Sequence, residues 1–121
     1  RIMVMIAHVV HSRFDEFGYP ASLSQKIVQG VLRDQLHFNG VVVSDDMQMK
    51  AIVDHYGMDD ALRLAINAGV DMLIFGNQLG NDIFSAEDIV KRIEKMVLRG
   101  EIAKERIDQS YERVKAMRAH L

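Results

Sequence analysis

Short apolar runs alternate with longer segments of helical periodicity along this chain. The apolar runs cover 3–10, 40–44 and 70–75, and they lack the regular polar alternation of a strand with one solvated face. Such runs are typical of parallel strands that are covered on both faces. We therefore predict three buried strands, each followed by a helical segment.

Apolar residues recur at helical spacing in four further segments. The predicted helices cover 23–36, 58–69, 86–98 and 104–119. Ser22 and Gln25 fit a capping box at the start of the first helix, and Gly69 fits the end of the second. The predicted apolar stripe of the last helix consists of Ile107, Tyr111, Val114 and Met117.

The predicted order β-α-β-α-β-α-α indicates an α/β fold with a parallel sheet. A complete eight-stranded barrel needs about 250 residues, so three strands cannot close one. The pattern therefore leaves two architectures open. The chain is either a stand-alone three-layer α/β domain or the last part of a larger barrel.

Composition and charge narrow the classes of partner. Hydrophobic residues make up 49% of the 121 residues, and the net charge is -2 without a basic stripe, so we expect no nucleic-acid partner. No apolar run approaches the roughly 20 residues of a membrane-spanning helix. The chain has no cysteine, which excludes disulfides and thiolate metal sites and is compatible with the cytoplasm, the compartment we favour. Because its first residues enter an apolar run directly, we expect a fragment whose upstream part is missing.

Two adjacent carboxylates, Asp45 and Asp46, follow the second apolar run. Functional groups of parallel α/β folds gather at the carboxyl ends of strands. Strand alternation places Asp45 on the face of Val41 and Val43, and Asp46 on the opposite face. The simpler alternative is that these carboxylates only cap the following turn or helix.

Residues 40–51, in which Ser44-Asp45-Asp46 is followed directly by Met47, resemble the nucleophile motif of family 3 glycoside hydrolases, especially the β-N-acetylhexosaminidase branch. Segment 4–9 resembles the preceding barrel strand of that family, and 20–24 with 32–33 resemble its next helix. Segment 68–73 resembles the final strand, and 100–115 resembles the closing helix. The resemblance implies that 1–121 is the C-terminal part of a TIM (β/α)8 barrel, with its last three βα units and closing helix.

The same resemblance implies that Asp45 is the catalytic nucleophile of a retaining glycosidase. The implied substrates carry terminal β-N-acetylglucosamine, including cell-wall muropeptides, and no cofactor is expected. In this branch a His paired with an Asp on an upstream loop acts as acid and base, and no histidine of this chain stands in a matching context. We therefore expect an inactive fragment that needs the missing N-terminal part of the barrel.

The resemblance also places His8 near the barrel mouth, where it would help to bind substrate. The alternative is a buried, hydrogen-bonded histidine. His8, His11 and Asp15 lie close in sequence, but a metal site needs a defined ligand geometry, so we expect no metal. Met47 is a second candidate for contact with the sugar, with core packing as its alternative.

Asn77 and Gln78 end the third apolar run. A barrel would present polar groups to a ligand at this position. An ordinary turn with the nearby glycines explains the pair more simply, and we favour that interpretation.

Other functions stay open at this point. A family 3 β-glucosidase or a phosphorylase would use the same aspartyl intermediate. Substrate-assisted hydrolysis would use paired carboxylates to orient an acetamido group. A stand-alone α/β binding module would use none of this chemistry. The gene sequence upstream of Arg1 would distinguish that module from a partial barrel.

Overall fold

The computed structural model describes residues 3–77 and 84–120. The strands are β1 (Met3–Ile6), β2 (Val41–Asp46) and β3 (Met72–Ile74). A 3₁₀ turn (Ala21–Leu23) precedes a π-helix (Lys26–Gln35), and the later helices are α1 (Lys50–Tyr56), α2 (Met58–Ala68), α3 (Ala86–Leu98) and α4 (Lys104–Arg118). Within those two ranges, no helix combines the length and the apolar character needed to cross a membrane.

The strands form one parallel sheet in chain order, β1-β2-β3, which confirms the predicted topology. Val43 pairs with Met5 on one side and with Met72 on the other. Strand β1 is shorter than the predicted run because the chain beyond Ile6 finds other partners. The Val9 carbonyl accepts a hydrogen bond from the Ala21 amide at 2.7 Å, so this segment pairs with the next connection instead of β2.

Helices cover one face of the sheet. Ile6 and Val42 point toward that face and belong to a core cluster with Val28 of the π-helix and Ala61 and Ala65 of α2. All five side chains are buried. The short alanine side chains let α2 approach the sheet and the π-helix closely, so this layer is tightly packed.

The opposite face of the sheet carries no such helix layer. Its exposed apolar residues and their exposed fractions are Met3 at 48%, Met5 at 60%, Met72 at 36% and Ile74 at 36%. We call these four residues the open face. Val41 points the same way but is buried, because α4 packs against the start of β2.

The predicted helix over 23–36 exists, but its first turn differs from the prediction. The Ser22 hydroxyl bonds His8 instead of forming a capping box, and Ser24 Oγ accepts the Ile27 amide at 3.2 Å. At the other end, the Leu36 amide donates to the Val31 carbonyl five residues earlier, which is the π-helical pattern. The helical spacing predicted a helix here but could not distinguish its winding.

Helix α1 was not predicted from the sequence. It is seven residues long, and Ile52 is its only buried residue. A single inward side chain produces no periodic stripe. By contrast, α2 ends where predicted, with Gly69 as its left-handed cap at φ 118°.

Helix α4 docks through polar side chains as well as through part of the predicted apolar stripe, in which Ile107 packs against a core cluster and Ile107, Val114 and Met117 are partly buried. Tyr111 is 63% exposed, and none of the α4 residues is fully buried. Arg106, Ser110 and Arg113 instead share one face and reach Asp71 at the start of β3. The helical spacing predicted α4 itself, but it could not reveal the hydrogen bonds through which this helix docks.

Asp71 is fully buried and is shared by three guanidinium groups. It lies 2.7 Å from Arg33, 3.0 Å from Arg113 and 3.5 Å from Arg106, and it also accepts the Ser110 hydroxyl at 2.6 Å. Burial lowers the pKa of Arg33, while the Asp71 carboxylate acts in the opposite direction. The carboxylate therefore joins the π-helix, β3 and α4 at one point.

Replacing Asp71 with Asn should lower the free energy of unfolding of the complete gene product by about 3–5 kcal/mol, since buried guanidinium groups would lose their counter-charge. Asp60 is a matched control because it makes an exposed pair with Arg63 at 3.4 Å. Asp60→Asn should cost less than about 1 kcal/mol. Urea unfolding measures both values, and equal losses would contradict the central role of Asp71.

Candidate active site

Strand β2 carries its polar residues at the carboxyl end of the sheet. A register shift lies between Val43, which pairs with Met72, and Asp46, which pairs with Ile74. Within it, Ser44 Oγ accepts the Ile74 amide at 3.1 Å, so a side chain replaces a backbone carbonyl in the ladder. Such bulges re-aim side chains and occur often beside active sites.

Asp45 is the partly buried residue at this irregularity. Its Oδ1 accepts the Asp46 amide at 2.8 Å. Among the residues that the structure describes, Oδ2 has no hydrogen-bond partner. The strand alternation from Val41 and Val43 directs Asp45 toward the open face. One oxygen of this carboxylate is therefore held while the other is available to a ligand.

Asp46 uses its carboxylate within the protein. Its Oδ1 accepts the amides of Gln48 at 2.9 Å and Gly76 at 3.1 Å. A Cβ added to Gly76 would collide with the Asp46 carboxylate, so the two segments that carry Gly76 and Asp46 approach each other closely here. The adjacent carboxylates therefore differ in their tasks, because Asp46 braces the loop that Asp45 begins.

Gln48 and Asn77 join the loop after β2 to the loop after β3. Gln48 donates to Asn77 Oδ1 at 2.9 Å and accepts the Asn77 amide at 2.6 Å. Asn77 has a left-handed backbone, at φ 52°, and its side chain exchanges two hydrogen bonds with the Phe84 backbone. The predicted turn at Asn77 is thus also a brace, while Gln78 lies outside the described residues.

His8 lies just beyond β1, and both of its ring nitrogens are engaged. Nδ1 bonds the Ser22 hydroxyl, and Nε2 donates to the Asp46 carbonyl at 2.8 Å. The geometry of His8 therefore matches the alternative prediction of a hydrogen-bonded histidine. A sugar hydroxyl could reach a ring nitrogen only by displacing one of these partners.

The burial of Met47 corrects the interpretation that its side chain contacts the sugar. It has no exposed surface and belongs to the core cluster between sheet and helices. A side chain without exposed area has nothing to present to a ligand. Its amide instead donates to the Ile74 carbonyl at 2.8 Å, which extends the link between β2 and β3.

His11 and Asp15 lie in the loop after His8 but have separate partners. Asp15 is buried and accepts the Phe17 amide at 2.9 Å and the Ser24 hydroxyl. The His11 ring lies against Phe14, with 4.8 Å between ring centroids. Across 3–77 and 84–120, no group of three or more His, Asp or Glu side chains could hold a metal ion.

This geometry suits a nucleophile better than an acid-base pair. One oxygen of the Asp45 carboxylate accepts a single amide, whereas one oxygen of the Asp46 carboxylate accepts two amides that link β2 to the loop after β3. Gln48, Gly76 and Ser22, which support these groups, were not singled out as functional from the sequence. Their roles depend on contacts between residues at least 14 positions apart, which a local pattern does not reveal.

The family comparison agrees with this arrangement. The model described as the glycosyl hydrolase family 3 N terminal domain matches residues 2–117. The fold is thus that of a glycoside hydrolase domain, and the chain belongs to glycosyl hydrolase family 3. The solved relatives are of the TIM-barrel type, which confirms the predicted fold class.

The names of individual relatives state different activities. A β-N-acetylglucosaminidase from Thermotoga maritima superposes with a TM-score of 0.85 at 31% identity, over 95% of this chain and 24% of its own. A β-glucoside phosphorylase gives 0.83 at 30% identity, over 97% of this chain and 21% of its own. A β-hexosaminidase from Methylobacillus flagellatus is 39% identical over 75 residues, 62% of this chain and 21% of that protein. The chain thus spans less than a quarter of each of these relatives.

Replacing Gly76 with Ala should disturb the site, because the new Cβ would push the Asp46 carboxylate off its two amides. We expect a loss of about 1–3 kcal/mol in unfolding free energy, together with lower activity of the complete gene product. Gly30 is a matched control, since it lies in the π-helix with nothing within 4 Å of an added Cβ. Gly30→Ala should be neutral or stabilising in the same thermal and denaturant assays, and a similar loss at both sites would contradict this explanation.

Proposed function

We propose that the complete gene product is a retaining β-N-acetylhexosaminidase in which Asp45 forms the glycosyl-enzyme bond. The observation that carries this proposal is the Asp45 carboxylate at the carboxyl end of β2, with Oδ1 held by an amide. Family membership supports glycoside hydrolysis. The β-hexosaminidase and β-N-acetylglucosaminidase relatives support the sugar. We extend the proposal to cell-wall saccharides that carry N-acetylglucosamine.

In the proposed mechanism, Asp45 Oδ2 attacks the anomeric carbon while an acid protonates the departing glycosidic oxygen. The bond between the sugar and the leaving group breaks as the bond to Asp45 forms. Water then attacks the same carbon, the acid returns as a base, and the Asp45 carboxylate is released. The Asp46 amide limits rotation of the nucleophile throughout.

The acid-base group of this proposal comes from outside the chain. By the family resemblance it is a His paired with an Asp on a loop of the preceding barrel part. His8 is committed to Ser22 and Asp46, and His11 lies against Phe14. We therefore expect this chain to have no turnover by itself.

We further propose that the preceding barrel strands cover the open face of Met3, Met5, Met72 and Ile74. In this arrangement residues 1–121 supply the last three βα units and the closing helix. An apolar sheet face with two unpaired edge strands is unstable in water and favours association. The open face thus supports a partial barrel over a stand-alone module.

The 121-residue chain expressed alone should self-associate through the open face, as measured by light scattering. Replacing Met5 and Met72 with Ser should shift it toward monomer, because both are exposed on that face. Tyr111→Ser is the control, since Tyr111 is exposed on α4, away from the sheet. A monomeric chain that binds no hydrophobic dye would contradict a partial barrel.

Asp45→Ala in the complete gene product should remove essentially all turnover, with a loss on the order of 10⁴-fold or more in kcat. Asp46→Asn should retain measurable activity, since the Asn oxygen still accepts at least one backbone amide. A slow-reacting fluorinated glycoside should label the wild-type protein. Peptide mapping by mass spectrometry should find the sugar on Asp45.

Other outcomes separate the competing functions. A sugar on Asp46 would overturn the assignment of the nucleophile. Hydrolysis with retention but no adduct would favour substrate-assisted catalysis. Release of sugar 1-phosphate in the presence of inorganic phosphate would favour a phosphorylase, the activity named for one structural relative.

A further inference from the structure

His8 connects two parts of the structure that the proposed mechanism does not itself link. Its Nδ1 atom is hydrogen-bonded to the hydroxyl of Ser22, a fully buried residue in the 3₁₀ turn. Its Nε2 side donates to the Asp46 carbonyl at 2.8 Å. A neutral ring with its proton on Nε2 satisfies both contacts, since Nδ1 then accepts the Ser22 O–H.

The residue held by His8 is the same one that orients the nucleophile. The Asp46 amide donates to Asp45 Oδ1 at 2.8 Å, and the Asp46 carbonyl accepts from His8. Rotation of the backbone at Asp46 would therefore break the contact to His8 and turn the Asp45 carboxylate together. The ring of His8 and the carboxylate of Asp45 are thus coupled through one residue.

The loop after β2 is held from two sides. On the β3 side, the Asp46 carboxylate accepts the Gly76 amide at 3.1 Å, and Gln48 pairs with Asn77. On the β1 side, His8 holds this loop through its hydrogen bond to the Asp46 carbonyl. The β3 contacts fix the loop against one neighbouring strand, and His8 fixes it against the other.

We infer that His8 is a positioning residue, which sets the direction of the Asp45 carboxylate through the Asp46 backbone and does not bind the sugar. This inference rests on the proposed function of Asp45. Its catalytic effect follows from the geometric demands of in-line attack, where a misplacement of about 1 Å can cost about 10²-fold in rate. Loss of His8 should therefore lower the rate of glycosylation more than the affinity for substrate.

Two substitutions separate the contacts of His8 in the complete gene product. His8→Gln places an amide nitrogen near the Nε2 position and can still donate to the Asp46 carbonyl. His8→Asn is shorter, can reach Ser22, and loses Asp46. We expect His8→Asn to lower kcat by about 10- to 100-fold with KM changed less than about 3-fold, and His8→Gln to recover most of the loss.

The rate of covalent labelling by the fluorinated glycoside gives a direct measure of the glycosylation step and should follow the same order. His11→Asn and His11→Gln are matched controls in the exposed loop nearby and should leave both rates unchanged. Ser22→Ala keeps His8 but removes its support, so it should give a smaller loss of the same kind. Thermal unfolding of each variant tests whether it is folded.

Several results would overturn the inference. These are a rise in KM at constant kcat, equal rates for His8→Asn and His8→Gln, or wild-type rates in both. If His8→Asn does not fold, wild-type labelling in Ser22→Ala would overturn it as well. Failure of the wild-type protein to label at Asp45 is a different result, because it rejects the proposed nucleophile before His8 is tested.

Discussion

The buried carboxylate of Asp71 is the contact on which the rest of the structure depends. It accepts the Val42 amide at 3.0 Å, and so it also fixes the start of β2 against β3. Three guanidinium groups surround it, and Arg33 and Arg106 also donate to the backbone carbonyls of Gly69 and Ile66 at the end of α2. A single negative charge therefore aligns two strands and three helices at the amino end of the sheet.

The amino and carboxyl ends of the sheet have different structural roles. At the amino end, ion pairs and helix contacts supply stability. At the carboxyl end, the side chains of Ser44, Asp46 and Gln48 accept the backbone amides of Ile74, Gly76 and Asn77 and so hold the end of β2, beside Asp45, against β3 and the loop that follows it. This is the division found in TIM-barrel enzymes, where catalytic groups lie at the carboxyl ends of strands. A change at one end need not disturb the other.

The sequence predicted the parts of the fold that depend on local hydrophobic pattern. The three strands, their parallel order and the end of α2 at Gly69 follow from apolar runs and a glycine cap. The sequence also predicted helix α4 but not the polar contacts through which it docks, and it missed α1, which has one buried residue. In the site, the motif identified Asp45. The position of Met47 in the core and that of His8 beside the loop could not be predicted, because both depend on contacts between residues distant in sequence.

The exchange of two hydrogen bonds between Asn77 and the Phe84 backbone closes the connection from β3 to α3 at its base. Gln48 contacts Asn77 at this closed base. Since loops on a rigid scaffold tolerate insertion, we expect the length of the connection between Asn77 and Phe84 to be free to vary while this base stays closed.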